Sequence, residues 1–160
     1  MLAAMTTWQQ FAQQHPDLAA AVEAKLKATK HHVLATLRRD GSPRVSGNEV
    51  QFHDGDLVMG MMPDSMKALD LRRDGRYALH ANPGDGSMEG GDAKLAGRAY
   101  EVVDPGALAA YAGAIEPPEP FHLFRLEIDE VVLTSLHPAG DRLVIDSWHA
   151  GSGRKVVERA

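Results

Sequence analysis

Cysteine is absent from this sequence of 160 residues. Its absence excludes disulfide bonds, thiolate metal sites and a cysteine nucleophile together. No apolar run approaches the ~20 residues that a transmembrane helix needs. Residues 1–30 also lack the basic start and apolar block of a secretion signal. We therefore expect a cytoplasmic protein that does not act at a membrane.

An excess of positive charge is lacking as well, because the formal net charge is -5. A general nucleic-acid-binding protein needs clustered lysine and arginine over a broad face, so we expect no nucleic-acid partner. Any anionic partner has to be small and bind locally. The content of 44% hydrophobic and 24% charged residues is typical of a folded globular protein.

The N-terminal part of the chain has a helical pattern. Residues 7–29 are rich in helix formers with regularly spaced apolar residues, and Pro16 is expected to divide them into two short helices. We therefore divide the chain into a helical lead-in, residues 1–30, and a main domain, residues 31–160.

The main domain has the pattern of antiparallel strands. Asp40-Gly41 and Asp54-Gly55 are typical hairpin turns between runs that alternate apolar and polar residues. A short helix is expected from Asp104-Pro105 onward. The predicted strands span 32–39, 44–53, 56–62, 76–83, 92–103, 122–138 and 142–151. Many short strands with few helices predict a β-barrel with helical additions.

One segment is strongly cationic although the chain is acidic: residues 65–76, SMKALDLRRDGR. Asp64 is a suitable N-cap, and residues 65–73 are predicted to form a helix of about two turns. Met66 and Leu69 are expected to face the core. The cationic side chains therefore lie on a short helix.

The start of that helix is a candidate anion site. Unpaired N–H groups and the positive end of the helix dipole favour an anion there. Ser65 adds a hydroxyl, Lys67 an ammonium, and Arg44 could reach the site from a neighbouring hairpin, so a phosphate would gain charge-assisted hydrogen bonds. The alternative is a solvated helix whose cations pair loosely with Asp70 and Asp74.

Other candidate sites have weaker patterns. The eight histidines include one adjacent pair, but the others are scattered without an HxxxH pair, so we expect no metal site. His80 and His149 are the histidines with the most suggestive positions. The methionines of VMGMMPDSM could form an adaptable wall against a flat ring or fill the core, and the pattern leaves both open.

SMKALDLRRDGR followed by RYAL resembles a segment of the pyridoxamine 5′-phosphate oxidase-like family, Ser-x-Lys…Leu-Arg-Arg-Asp-Pro-Arg. The similarity continues in family order through residues 33–46 (VLATLRRDGSPRVS), 92–102 (DAKLAGRAYEV) and 148–159 (WHAGSGRKVVER). The resemblance implies a mainly β fold with added helices: a six-stranded antiparallel split β-barrel of the FMN-binding split barrel type. It also implies that two such subunits form a homodimer. It also implies FMN or, in an actinobacterial branch, the deazaflavin F420.

The resemblance implies a cofactor site but no catalytic residue. The cofactor phosphate would bind at the helix start, the ring would lie along the strands 44–53 and 56–62, and the C-terminal strand would come from the partner subunit. The implied cofactor-binding residues are Arg44, Val45, Ser46, Gly60, Met61, Met62, Ser65, Lys67, Trp148 and Arg154. The LRRD sequence and the Ala-, Arg-, Asp- and Gly-rich composition favour F420 over FMN.

The implied function is hydride transfer between F420 or FMN and a small conjugated organic substrate. RVSGNEV does not match the second strand of true pyridoxamine phosphate oxidases, and their basic C-terminal pattern is missing, so we do not expect pyridoxamine phosphate as substrate. The alternative is a non-catalytic carrier or sensor protein that binds flavin, F420 or haem.

Overall fold

The computed structural model describes residues 5–160, so the first four residues of the predicted lead-in lie outside the described residues. Four helices occur in this part of the chain: α1 (Trp8–Gln14), α2 (Pro16–Lys27), α3 (Met66–Arg73) and α4 (Pro105–Ile115). Its ten strands are β1 (Thr6–Thr7), β2 (His32–Leu37), β3 (Pro43–Asn48), β4 (Gln51–His53), β5 (Asp56–Met61), β6 (Arg76–His80), β7 (Asp92–Glu101), β8 (His122–Leu136), β9 (Leu143–His149) and β10 (Gly153–Arg159). None of the four helices is long and apolar enough to cross a lipid bilayer.

The two N-terminal helices complete the core of the sheet. Thr7 caps α1 through a reciprocal pair of hydrogen bonds with Gln10, and Pro16 occupies the first turn of α2, where its missing N–H costs nothing. The buried apolar residues of the helices pack with those of the strands in one cluster. The members of that cluster from α1 and α2 are Trp8, Phe11, Leu18, Ala19, Val22 and Leu26.

Strand β8 organises the sheet. One edge of β8 pairs with β7 along most of its length, and the other edge pairs with β5, β1 and β9 in succession. Beyond β7 the sheet continues through β6 and β2 to β3, whereas β4 pairs with β5. Among residues 5–160, no ladder joins β3 to β4, so the barrel is split where the chain passes from one to the other.

The prediction of six strands is wrong, since ten are present. The predicted strand 44–53 is two strands, because β3 pairs with β2 while β4 pairs with β5. Between them the Asn48 side chain donates to the Glu49 carbonyl at 2.6 Å, a local bond of the kind that competes with a ladder. The sequence pattern did not predict β1 or the charged strand β10. The antiparallel arrangement itself is confirmed.

His32 joins three parts of the fold. Its buried ring bonds the Leu26 carbonyl through Nε2 at 2.8 Å and accepts from the Asn82 backbone N–H through Nδ1 at 3.1 Å. Nε2 therefore carries the proton of a neutral ring. Burial lowers the pKa of His32 below its ordinary value of 6.5, although the bond to Leu26 opposes the shift.

Stability is therefore expected to fall as the pH drops below 6.5. The unfolded chain binds a proton there that the folded chain resists, so this one group contributes at most about 1.4 kcal/mol per pH unit. Urea unfolding of the wild type and His32→Gln at about pH 5.5 and about pH 7.5 checks this, since both values bracket the histidine range. An equal loss of stability in both proteins would contradict it.

Candidate functional site

The N-cap of α3 is Ser65 rather than the predicted Asp64, which lies one residue earlier in the left-handed region at φ 55. A serine in this place normally accepts a hydrogen bond from the second or third helical N–H. Ser65 makes no such bond, and its buried Oγ has no hydrogen-bond partner within residues 5–160. The helix start therefore keeps both its own N–H donors and an unused hydroxyl.

The buried face of α3 differs from the predicted one. Ala68 and Leu71 pack into the core, whereas Met66 and Leu69, which were expected to do so, are 56% and 38% exposed. The inward side of α3 is formed by Asp70 together with Ala68 and Leu71, so a polar residue occupies part of the buried face. Two large apolar side chains thus lie open on the outer side of α3.

Asp70 is the centre of a buried polar cluster and is only 1% exposed. Its carboxylate accepts from Thr36 Oγ1 at 2.8 Å, from Arg44 Nε at 2.7 Å and from the guanidinium of Arg73 at 3.0 Å. Burial by itself raises the pKa of Asp70, but these three donors outweigh it and hold the pKa below its ordinary value. The predicted loose surface pairing of Asp70 is therefore wrong.

Arg44 is held in place by this cluster. Asp70 takes its Nε, and in the described part of the chain no hydrogen bond occupies its two terminal nitrogens. A guanidinium fixed through one nitrogen keeps the others oriented for a ligand, at little further cost in side-chain entropy. Arg44 is thus preorganised to donate hydrogen bonds to an anion.

Lys67 connects α3 to the edge strand β3. Its Nζ donates to the Gly47 carbonyl at 2.8 Å, and partial burial lowers the pKa of its ammonium. Lysine has three N–H donors, so two remain after this bond. An anion beside Lys67 would favour the charged ammonium and reverse the effect of burial.

A charged cluster fixes the loop before α3. The Asp64 backbone N–H donates to His122 Nε2 at 3.1 Å, while Arg72 makes two bonds to Glu101 at 2.6 and 2.9 Å and lies against the His122 ring. The bonds from Arg72 lower the pKa of Glu101. The segment that presents Ser65 is thereby attached to β7 and β8.

The structure brings several predicted residues together and separates others. Ser65 and Lys67 lie at the start of α3, and Lys67 bonds to the edge strand β3. Arg44 lies on β3 and bonds to Asp70 of α3. Near them Val45 is 70% exposed and Met62 is 78% exposed, so both can contact a ligand. Ser46 lies on β3 on the same face as Arg44, where it is half-buried.

Gly60 and Met61 offer less than the sequence predicted. The Met61 side chain is buried in the main core, and a Cβ on Gly60 would lie 2.7 Å from the Tyr111 hydroxyl of α4. Both faces of β5 are therefore covered by the chain itself. Only the backbone of these two residues could contact a ligand.

Trp148 and Arg154 already have partners in their own chain. The Trp148 indole is buried against Phe11, with ring centroids 5.0 Å apart. Arg154 forms paired bonds with Asp17 and Asp146, all between 2.7 and 2.9 Å. In residues 5–160, no hydrogen bond links either of them to α3. Their contact with a cofactor in a partner subunit stays a prediction.

The arrangement is suited to binding an anion and not a cation. The donors are a hydroxyl, an ammonium, a guanidinium and the helix N–H groups. Among residues 5–160, no group of three or more His, Asp or Glu side chains could hold a metal ion.

Sequence reasoning missed Asp70, Thr36 and His122. A signal for the first two existed, because the Asp40-Gly41 turn sets a register that places Thr36 opposite Arg44. Two polar residues paired on the inner face of a hairpin need a buried partner. Nothing in the sequence pattern pointed to His122.

No family model matches the sequence, and no curated protein is significantly similar to it. Solved structures do match. A pyridoxamine 5′-phosphate oxidase-related, FMN-binding protein from Nostoc punctiforme aligns with a TM-score of 0.64 and 14% identity over 95% of this chain and 99% of the other. PhzG from Burkholderia lata, in complex with tetrahydrophenazine-1-carboxylic acid, gives 0.61 and 18% identity over 93% and 91%.

A third match differs in function. HutZ, the heme storage protein from Vibrio cholerae, aligns with a TM-score of 0.56 and 16% identity over 70% of this chain and 90% of the other. At these identities the similarity concerns the fold alone. The chain has the split-barrel fold shared by pyridoxamine 5′-phosphate oxidase-like, FMN-binding proteins.

Proposed function

We propose that this protein binds the phosphate of a flavin or deazaflavin at the start of α3 and acts as an oxidoreductase. The observation that carries the proposal is the buried, unpartnered Oγ of Ser65 at a helix start without a side-chain cap, two residues before Lys67. A buried hydroxyl without a partner is costly, and an anion at this place would accept its hydrogen bond.

Each residue has a defined part in the proposal. Ser65 and Lys67 hold the phosphate, and the terminal nitrogens of Arg44 bind the phosphate or the ring edge. Val45 and Met62 give the ring apolar contacts, and their exposure is what a bound ring would cover. When bound, the cofactor supplies hydride transfer, while the protein positions it and excludes water.

The finer points of the proposal extend the resemblance. F420 is favoured over FMN by the LRRD segment and by the composition, and the substrate is a small conjugated organic compound. The protein is proposed to be a cytoplasmic homodimer in which Trp148 and Arg154 of one subunit cover the site of the other. The fold shared with the FMN-binding Nostoc protein supports a flavin-type ligand in general.

Substitution of Lys67 tests the phosphate site. Lys67→Ala is expected to weaken F420 or FMN binding by more than about tenfold, because a charge-assisted hydrogen bond contributes about 1.5–3 kcal/mol. Lys94→Ala, which removes an exposed lysine from β7, is the matched control and should bind as the wild type does. Fluorescence titration measures both. Affinity within about twofold of the wild type in Lys67→Ala would refute the phosphate site.

Ser65→Ala separates binding from stability. Because the hydroxyl has no partner in the chain, its removal should leave the free energy of unfolding unchanged or higher, while cofactor binding weakens. Chemical denaturation and the same titration measure the two effects. A loss of stability with unchanged binding would assign the hydroxyl to the fold instead of the site.

The alternative is a carrier that binds a cofactor without catalysis, which the similarity in fold to the heme storage protein HutZ supports. Parallel titration with haem, FMN and F420, followed by turnover assays with enones and quinones, separates the two functions. Haem binding alone, or flavin binding without turnover of any acceptor, would favour the carrier.

A further inference from the structure

A second basic feature lies along the side of α3 and extends from its first residue, Met66, to Arg73. A groove of ≈ 440 Å³ runs between α3 and the turn of the β2–β3 hairpin. Its lining residues are Arg38, Arg39, Asp40, Arg44, Met66, Leu69, Asp70 and Arg73. Four arginines against two aspartates leave an excess of two positive charges in a chain whose net charge is -5.

Both aspartates of the groove already accept hydrogen bonds from the chain. Asp70 accepts from three side chains, and Asp40 accepts from the backbone N–H of Ser42 at 3.0 Å and from its hydroxyl at 2.6 Å. These bonds lower the pKa of both carboxyls, so the aspartates stay ionised and need no further cation. Within residues 5–160, neither aspartate forms a close ion pair with Arg38 or Arg39, and Arg38 acts on Asp40 only at longer range.

The hairpin arginines retain unused donors. Within residues 5–160, Arg39 makes no hydrogen bond or ion pair, and Arg38 makes one long bond, from Nε to the Pro43 carbonyl at 3.4 Å. Arg73 is different, because it is fixed to the Leu37 carbonyl at 2.6 Å and to Asp70. The groove thus combines fixed guanidinium groups with free ones, and the planar fork of each suits a carboxylate.

The groove also has an apolar wall. Met66 and Leu69 lie on its α3 side and are the two residues that α3 turns outward. Exposed apolar side chains next to guanidinium groups favour a ligand with an apolar body and an anionic head. An inorganic anion would leave this wall uncovered.

We propose that this groove binds an organic carboxylate with an apolar or aromatic body, its carboxylate held by Arg38 and Arg39 and its body against Met66 and Leu69. The groove shares Arg44 with the proposed phosphate site at the start of α3. The carboxylate is held by Arg38 and Arg39 instead, so its binding does not require a bound flavin.

Naphthoate and its neutral analogue naphthamide are suitable probes, because they differ in the charge of one group. Isothermal titration with the full-length protein should show that naphthoate binds at least about tenfold more tightly than naphthamide. The double variant Arg38→Gln, Arg39→Gln should weaken naphthoate binding by at least about tenfold and leave the weaker naphthamide binding unchanged. Both substitutions are in an exposed hairpin turn, so folding should be preserved.

Two controls locate the site. The double variant Lys155→Gln, Arg159→Gln removes the same charge from β10 and should bind naphthoate as the wild type does. Lys67→Ala should also retain naphthoate binding while it loses flavin binding, so that failure of one proposal is distinguishable from failure of the other. The groove proposal would be overturned if naphthoate did not bind or bound no more tightly than naphthamide. It would also be overturned if the double variant Arg38→Gln, Arg39→Gln bound naphthoate as tightly as the wild type, or if Lys67→Ala lost naphthoate binding.

Discussion

Replacing Asp70 by alanine is expected to lower the free energy of unfolding by about 3 kcal/mol or more. The carboxylate is buried and accepts hydrogen bonds from two guanidinium groups, those of Arg44 and Arg73, and from Thr36. Its removal leaves a buried hydroxyl and a half-buried arginine without their partner, and such uncompensated groups account for the largest effects of polar substitutions. Urea unfolding at neutral pH measures the change.

Asp74→Ala is the matched control for Asp70→Ala, because Asp74 ends the same helix and pairs with an exposed arginine, Arg76, at 2.7 Å. Exposed pairs contribute about 0–1 kcal/mol, so this variant should be nearly as stable as the wild type. Equal stability of the two variants would show that the Asp70 cluster does not support the fold. Asp70→Ala should also weaken cofactor binding, since Arg44 loses the bond that holds its Nε.

Gly97→Ala is expected to destabilise the protein by about 3 kcal/mol or to prevent folding, in line with the upper range for overpacking. Gly97 lies where the register between β7 and β8 shifts. A Cβ there would collide with the Glu127 carbonyl oxygen and lie 2.8 Å from the Cα of Ile128, both of which are backbone atoms that cannot rotate away.

Gly47→Ala provides the comparison for Gly97→Ala, because Gly47 also lies in a strand but a Cβ there would have open space around it. Thermal unfolding of both variants should show a large loss for Gly97→Ala and little change for Gly47→Ala. If Gly97→Ala unfolded at the same temperature as the wild type, the close packing of β7 on β8 would be contradicted.

The sequence was sufficient for the features that depend on local pattern. Spaced apolar residues placed the N-terminal helices, and Asp54-Gly55, both with positive φ, marked a two-residue hairpin turn. Strict alternation on β8 identified Phe124, Leu126 and Ile128 as core residues, and all three are buried. These signals are short in range and arise from one element at a time.

Features that depend on distant partners could not be predicted in this way. The break between β3 and β4 follows from pairing with two different strands, which a continuous β-rich run does not reveal. The burial of Asp70 on α3 depends on hydrogen bonds from Thr36 and Arg44, which are far away in sequence. Apolar spacing alone predicted that Met66 and Leu69 face the core. In the structure Asp70 is buried instead, and its tertiary hydrogen bonds satisfy the carboxylate there.

The candidate site shows the same division. Ser65 and Lys67 could be placed at a helix start from the sequence, because a helix start and its side chains are local features. Their contact with a cofactor stays a prediction. That Ser65 has no capping bond, and that Gly60 is covered by Tyr111, depend on packing that only the structure shows. The predicted contacts of Trp148 and Arg154 concern a second subunit and stay predictions.

Titration of the purified protein with F420 and with FMN in parallel tests the central claim most directly. The fluorescence of the cofactor and of Trp8 and Trp148 reports binding. We expect saturable binding with micromolar or tighter affinity, stronger for F420 than for FMN, and lost in Lys67→Ala. If neither cofactor binds, or if Lys67→Ala binds the cofactor as tightly as the wild type does, the assignment of a phosphate site to the start of α3 is wrong.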